Sequence, residues 1–374
     1  MIKKILGIFI AAMLLFFSSQ TVYAEEGQAN KVREEMYDKS GAETIYNALD
    51  DEVKESLNDA GVHSAKIDEN MSFKRFFYAV SEKMKEDIAA PVHAIMAILV
   101  IVILSKIADS FENEDISKIV SFVGSASCAG VILVPIIKMI SSLKIITDTT
   151  SVFLLTSVPV YSGFLVAAGK IKTGASYTMM TLGTANLIPV LSSLIIIPLL
   201  NIFLALSLVS SISDVKLHKL GDGIYKFVKW LLIILVSFFT GALSLQTIIS
   251  SHIDGMSERA VKMLASSAIP VIGGAIGDSL SVVLSGIDVV KSGVGAFGIL
   301  ASLMIFLPLL LECILWTLVS GAGEIIADLF ECSQVSRFLA GGTAVIKMMM
   351  AVLISLCVVC VVSASIIITV RSAT

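Results

Sequence analysis

The sequence predicts an all-α, polytopic helical membrane protein of about eight or nine transmembrane helices, preceded by a small N-terminal extracytoplasmic helical domain. Three observations carry this. Apolar residues make up 56% of the 374-residue chain and charged residues only 16%, with a mean hydropathy of +0.90. A soluble core of this length cannot hide so much apolar surface, whereas a bilayer can. Charge is also unevenly spread: residues 25–87 hold 16 acidic and 9 basic groups, a net of −7, while the 287 residues from Ile88 hold 15 and 16. Uncharged runs then follow one another at 94–105, 119–137, 149–169, 173–213, 230–251, 292–311 and 348–370. Most approach or exceed the ~20 residues a helix needs to cross ~30 Å of hydrocarbon.

Residues 1–24 read as a signal peptide. Lys3 and Lys4 precede an apolar core from Ile5 to Phe17, and Val22-Tyr23-Ala24 supplies a small-residue cleavage site. The alternative is an uncleaved first helix; either way the chain that follows starts outside the cytoplasm. Residues 25–88 form the extracytoplasmic helical domain, which contains no cysteine and so is not stapled by disulfides. Within it Leu49, Val53 and Leu57 recur at four-residue spacing until Gly61. Ser72 can cap a second helix with Phe73, Phe76, Phe77, Val80, Met84 and Ile88 on one face.

Residues 89–374 form the transmembrane domain. Spans are expected at 89–108, 117–140 and 150–169, bringing the chain inside at Lys170 and Lys172. Pro189 and Pro198 break the run 173–213, and two short crossings there return Lys216, Lys219, Lys226 and Lys229 to the cytoplasm, as the positive-inside rule requires. The stretch 263–291 is the weakest span. Counted as a crossing it gives nine, with the acidic loop 321–337 outside and Arg371 inside; as a re-entrant or surface helix it gives eight.

Inside this body two features stand out. Gly273, Gly277, Ser281 and Ser285 fall four residues apart on one helix face. Small residues at that spacing let two helix backbones approach closely in lipid. Asp278, Glu312, Lys347 and Gln246 are intramembrane polar groups. A lone charge at such depth costs at least ~2.5–3.5 kcal/mol on insertion scales, so pairing or hydration is expected. Lys347 should therefore face Glu312 or Asp278 along a polar seam, unless Lys347 and Glu312 each reach the nearer interface separately.

Several motifs resemble catalytic ones without their chemistry. Gly277-Asp278-Ser279-Leu280 has the letters of a serine-esterase block. Such a serine needs a histidine to take its proton and a carboxylate to orient that histidine. The four histidines, His63, His93, His218 and His252, all precede it. Cys357-Val358-Val359-Cys360 has redox spacing inside an uncharged apolar run, where thiols stay protonated. Gly273-Gly274-Ala275-Ile276-Gly277 lacks the spacing and βαβ context of a phosphate loop. No His/Cys/carboxylate cluster has metal-ligand spacing. No catalytic, cofactor-binding or metal-binding residue is expected, and no enzyme. No stretch combines dense Lys/Arg with aromatics, so nucleic acid is not an expected partner.

The block Ile269-Pro270-Val271-Ile272-Gly273, Asp278, Val289-Val290-Lys291-Ser292-Gly293-Val294-Gly295 and Gly298 resembles the most distinctive stretch of the stage III sporulation protein AE family. Ser157-Val158-Pro159 with Gly163 and Gly169, and Leu243-Ser244-Leu245-Gln246, resemble further family stretches. The resemblance implies a membrane subunit of the sporulation channel complex linking mother cell and forespore, required for forespore development and late forespore gene expression. It implies a place in the mother-cell membrane around the forespore. It further implies as partners the other stage III sporulation A-operon membrane proteins and a forespore channel partner, beside membrane lipid and possible homo-oligomerisation. The alternative function is a stand-alone multi-pass permease for a small solute, which the intramembrane charges and helix-breaking prolines fit equally well.

Overall fold

The computed structural model describes residues 37–38, 40–63, 66–67, 73–109, 114–212, 218–268 and 273–369. Side-chain surroundings are described for these except 67, 73–74, 83–88, 108–109, 114–118, 121, 212, 218–219, 247–268 and 273–285. The expected signal peptide and Arg371 lie outside the described residues.

The described residues are all-α apart from one tiny hairpin. Helices α1 (Ala42–Asn47) and α2 (Asp51–Asp59) precede β1 (Val62–His63) and β2 (Lys66–Ile67), an antiparallel pair with Val62 opposite Ile67. Leu49, Val53 and Leu57 are buried as their spacing requires. Gly61 ends the helix in the left-handed region, at φ 88°, which a residue without Cβ adopts freely. The hairpin escapes a pattern-based reading because two-residue strands have no period to detect.

The long helices follow. Helix α3 (Phe73–Asp109) runs unbroken through Pro91, and α4 (Glu114–Ala167) contains Pro135 and Pro159. Next come α5 (Ile171–Ala185), α6 (Leu187–Leu191), a π turn (Ser192–Ile196) and α7 (Ile197–Ile212). Helices α8 (His218–Ala268), α9 (Gly273–Leu329) and α10 (Ser333–Thr369) complete the body. Of the aromatic stripe expected on α3, Phe76 and Val80 are buried while Phe77 is exposed.

Among the described residues six stretches are long and apolar enough to cross a membrane: Ala89–Ile107, Phe122–Ala167, Ile171–Ser211, Leu220–Gln246, Gly286–Leu329 and Ser333–Thr369. They stand where eight or nine separate spans were expected. The difference begins at residues 141–150, whose serines, threonines, Lys144 and Asp148 read as a loop. Instead the hydroxyls of Ser141, Thr147 and Thr150 donate to the carbonyls of Ile137, Leu143 and Ile146, one turn back, at 3.1, 2.7 and 2.6 Å. Bonding of this kind satisfies the polar groups locally and lets the helix continue. The breaks at Pro189 and Pro198 likewise bend the third pass without reversing it. The π turn absorbs the register change between them, and Asn186 at the α5–α6 junction accepts a 2.7 Å bond from Ser151 of α4.

Contacts along the helices set their directions. Lys106 near the end of α3 pairs with Glu331 at 2.9 Å, in the turn Phe330–Cys332 that joins α9 to α10. Ser125 of α4 donates to Gln334 at 3.2 Å. Ser207 of α7 lies against Gly341, and Phe203 against Gly221 near the start of α8. These contacts gather at one end, the base. At the opposite end, the crown, Tyr161 of α4 meets Gly298 and Ala364, and Tyr177 of α5 donates to the carbonyl of Ser363 at 2.9 Å. The six passes therefore alternate in direction between base and crown. The N-terminal helices sit on the crown side: Gly41 abuts Val160, Tyr46 stacks obliquely on Phe297 with centroids 6.3 Å apart, and Thr149 donates to Asp50 at 2.5 Å.

Two expectations change as a result. The turn at 168–170, with Lys170, lies at the crown, whereas the end of α7 and the start of α8, with Lys226 and Lys229, lie at the base; they were expected on one side. The stretch 321–337, expected as a loop on the side of the N-terminal domain, is helix on both flanks of a three-residue turn at the opposite end. In a background lacking the other cysteines, native Cys332 and an introduced Ser40→Cys should react with an impermeant maleimide from opposite faces of the membrane. Labelling of both from the same face would contradict this arrangement.

Candidate functional site

The small-residue stripe Gly273, Gly277, Ser281 and Ser285 and the carboxylate of Asp278 belong to the first turns of α9 by backbone. Their side chains, and that of Ser279, lie outside the described residues. Gln246 is buried on α8, and its side-chain carbonyl oxygen finds no hydrogen-bond partner among the described residues. Lys347 is exposed on α10, and Glu312 is half-buried on α9. Among the described residues no ion pair joins these two. Of the expected seam, in which Lys347 faces Glu312 or Asp278, the Asp278 arm lies outside the described side chains; Lys347 is exposed on α10 and does not pair with Glu312. Cys357 and Cys360 are both buried free thiols in the body of α10.

Close helix packing is seen further along α9. A Cβ at Gly295 would come within 2.6 Å of Ile368 and 2.9 Å of Ile367, and one at Gly298 would overlap the Tyr161 hydroxyl and lie 3.2 Å from Ala364. Gly295, Gly298 and Ser302 thus form a groove in which α10 and the Tyr161 ring seat themselves. The Ser302 hydroxyl bonds back to the Gly298 carbonyl at 2.7 Å, so it adds no unsatisfied group to the groove. Small residues three and four apart on one face were the signal for this site.

Around the groove the crown is polar and enclosed. Ser157, Tyr161, Tyr177, Thr181 and Ser363 are all buried. Tyr177 is anchored to Ser363, whereas the hydroxyls of Ser157, Tyr161 and Thr181 find no partner within strict hydrogen-bonding geometry among the described residues. One turn before the groove, Lys291 is fully enclosed and paired with Asp288 at 2.5 Å. A buried ammonium is tolerated only with such a partner. Its neighbour Gly293 lets Tyr37 of the N-terminal segment approach, a Cβ there lying 3.5 Å from the ring. Burial pushes the Tyr37 phenol well above its ordinary range.

Glu312 belongs to a second feature, a cavity of about 340 Å³ at the waist of the molecule. Three elements meet there: the start of α2 with Asp50 and Glu52, α4 with Lys138 and Thr149, and α9 with Pro308 and Glu312. Sequence reasoning placed Glu312 in the membrane. It had no means of joining it to Lys138 and the N-terminal domain, which are 174 and about 260 residues away in the chain. Among the described residues no group of three His, Cys, Asp or Glu could hold a metal ion.

Comparison with known proteins gives a family for the chain. The sequence model of a family described as Stage III sporulation protein AE matches residues 58–371. That range includes every long helix, the glycine groove, Tyr161 and Glu312. A curated relative, the stage III sporulation protein AE of Bacillus subtilis (strain 168), is 24% identical over 206 residues, covering 53% of this chain. The alignment spans 50% of the relative's own length. No solved structure matches.

The groove makes a direct prediction. Gly298→Ala should destabilise the purified protein by roughly 1–3 kcal/mol through overpacking, read as a fall in thermal midpoint. Tyr161→Phe alone should be near neutral, since the hydroxyl it removes has no partner. Combined with Gly298→Ala it should recover part of the loss; a double variant no better than Gly298→Ala would show that Tyr161 does not set the spacing.

Proposed function

Because the chain belongs to the stage III sporulation protein AE family, we propose that it is a non-enzymatic membrane subunit of the channel complex linking mother cell and forespore. In this reading it sits in the mother-cell membrane around the forespore and assembles with the other stage III A-operon membrane proteins and a forespore partner. Through them it supports forespore development and late forespore gene expression. Residues 25–88 lie outside the cytoplasm, and the six passes are six crossings in place of eight or nine.

Helix length supports the membrane placement. From Lys106 back to Ala89, and from Glu331 back to Glu312, is roughly 26–28 Å of helix, one hydrocarbon thickness. Ile98 lies against Gly323 midway, so the two helices keep the same register. The slab then runs from the base to the waist. The base carries Lys106 and Arg337, and the lysine-rich start of α8 enters there, which favours the cytoplasm. The crown stands roughly 20 Å beyond the outer face, with the N-terminal helices packed against it.

One observation carries the assembly role. On the projecting part, α4 and α5 expose Val152, Leu155, Val166, Ile171, Met179 and Met180, and Met179 is 80% exposed. So much clustered apolar surface beyond one hydrocarbon thickness marks a protein–protein contact. The permease reading draws on the charged waist cavity, which is of small-solute size.

The two readings separate in reconstituted liposomes: the subunit alone should move no small solute, and sustained uptake would favour the permease. In sporulating cells, Met179→Glu and Leu155→Glu should lower recovery of the other stage III A-operon proteins with the tagged chain by about tenfold, the loss expected of a buried anchor. Accumulation of the chain itself should be unchanged. Full recovery with both variants would remove this face from the assembly.

A further inference from the structure

We propose that the waist cavity is a binding site for a zwitterionic aminophosphate headgroup, that of a phosphatidylethanolamine in the outer leaflet. The inference rests on the membrane placement given above. The cavity, about 340 Å³ in volume, is lined by Asp50, Glu52 and Glu312 on one side of the charge balance and by Lys138 on the other. Glu312 and Ala89 lie at the same height, roughly 26–28 Å above the Lys106–Glu331 pair, which is where headgroups begin.

The lining selects among headgroups by charge and hydrogen bonding. Three carboxylates and one ammonium repel a headgroup with net negative charge. A primary ammonium can donate to several carboxylates at once, each a charge-assisted bond. A quaternary ammonium has no N–H to donate. The phosphate needs one cation, and Lys138 supplies it. Pro308, Met304 and Ile145 give the glycerol and upper acyl carbons an apolar wall. The Thr149–Asp50 bond, at 2.5 Å, fixes one acidic edge of the cavity to α4. A bound headgroup would thereby bridge α2, α4 and α9, tying the N-terminal domain to the membrane body at the interface.

The test uses the full chain, purified and delipidated in detergent, and short-chain phosphatidylethanolamine, phosphatidylcholine and phosphatidylglycerol as probes, with binding read by native mass spectrometry. Phosphatidylethanolamine should bind about tenfold more tightly than either of the others, the scale of one charge-assisted contact. Lys138→Gln and Glu52→Gln should each weaken it by a similar factor, and Tyr161→Phe should leave it unchanged. Glu312→Gln should also weaken it; if that variant does not accumulate, the two surface variants carry the test. Free phosphoethanolamine binding as tightly as the lipid would support the zwitterion chemistry and assign its source to solution. Equal affinity for the three lipids, or wild-type affinity in the variants, would overturn the site. Either failure leaves the sidedness of Cys332 and Ser40→Cys untouched, so the site and the membrane placement fail separately.

Discussion

The structure depends on the hairpin of α9 and α10. Over an 18-residue apolar segment of each, 72% and 61% of the residues are buried inside the protein, against 28–44% in the corresponding segments of the other passes. The remaining helices are therefore laid around this pair. Its turn is short, and closing it requires a backbone that side chains rarely adopt. Glu331 takes φ 58°, and the Cys332 N–H donates to the Ala327 carbonyl at 2.8 Å. A non-glycine residue in that region costs of order 1–3 kcal/mol and persists only where its surroundings fix it. Here the surroundings are two helices that pack from the turn up to Gly295 and Ile368. In lipid such packing rests on close contact and internal hydrogen bonding, because lipid tails are as apolar as leucine.

Everything at the crown follows from how closely these two helices approach. Gly295 and Gly298 admit Ile367, Ile368 and Ala364, and the remaining space is taken by Tyr161 of α4. The opposite face of α9 receives Tyr37 and Tyr46. One short glycine-rich segment thus holds the hairpin, the α4–α5 pair and the N-terminal domain in register. Lys291 sits inside the same segment with Asp288, so the join carries an enclosed ion pair as well as packed surface. The residues quoted for the family resemblance, Lys291, Gly293, Gly295 and Gly298, are those on which three structural units converge.

Composition made the membrane body legible, and periodicity made the first helices of the N-terminal domain legible. Leu49, Val53 and Leu57 are buried because a four-residue spacing has few other uses. What composition could not tell was whether a polar stretch ends a helix. Residues 141–150 carry seven hydroxyl or charged side chains in ten, and by polarity they form a loop. Their hydroxyls instead bond to their own helix, a local solution invisible to a hydropathy window. That single misreading divides α4 into two spans and moves Lys170 to the other side; the single pass over 171–211 then brings the start of α8 back to the side expected for its lysines. The waist site was hidden for a different reason. Asp50, Lys138 and Glu312 are brought together by the bundle, and no spacing in the sequence connects them. The small residues at 273–285 drew notice by their regular spacing and lie outside the described side chains, while the close approach at Gly295 and Gly298 combines spacings of three and four.

The central claim is that the body is built from long continuous helices, each passing once from base to crown. Helix α4 tests it best, because Phe122 and Val166 are both exposed near its ends. Spin labels at these two positions in the reconstituted protein, read by pulsed electron–electron double resonance, measure the claim directly. A single helix bent at Pro135 and Pro159 predicts a separation of roughly 55–65 Å. Two antiparallel spans joined by a loop at 141–149 would bring the labels to within roughly 10–25 Å, and that distance would contradict the account.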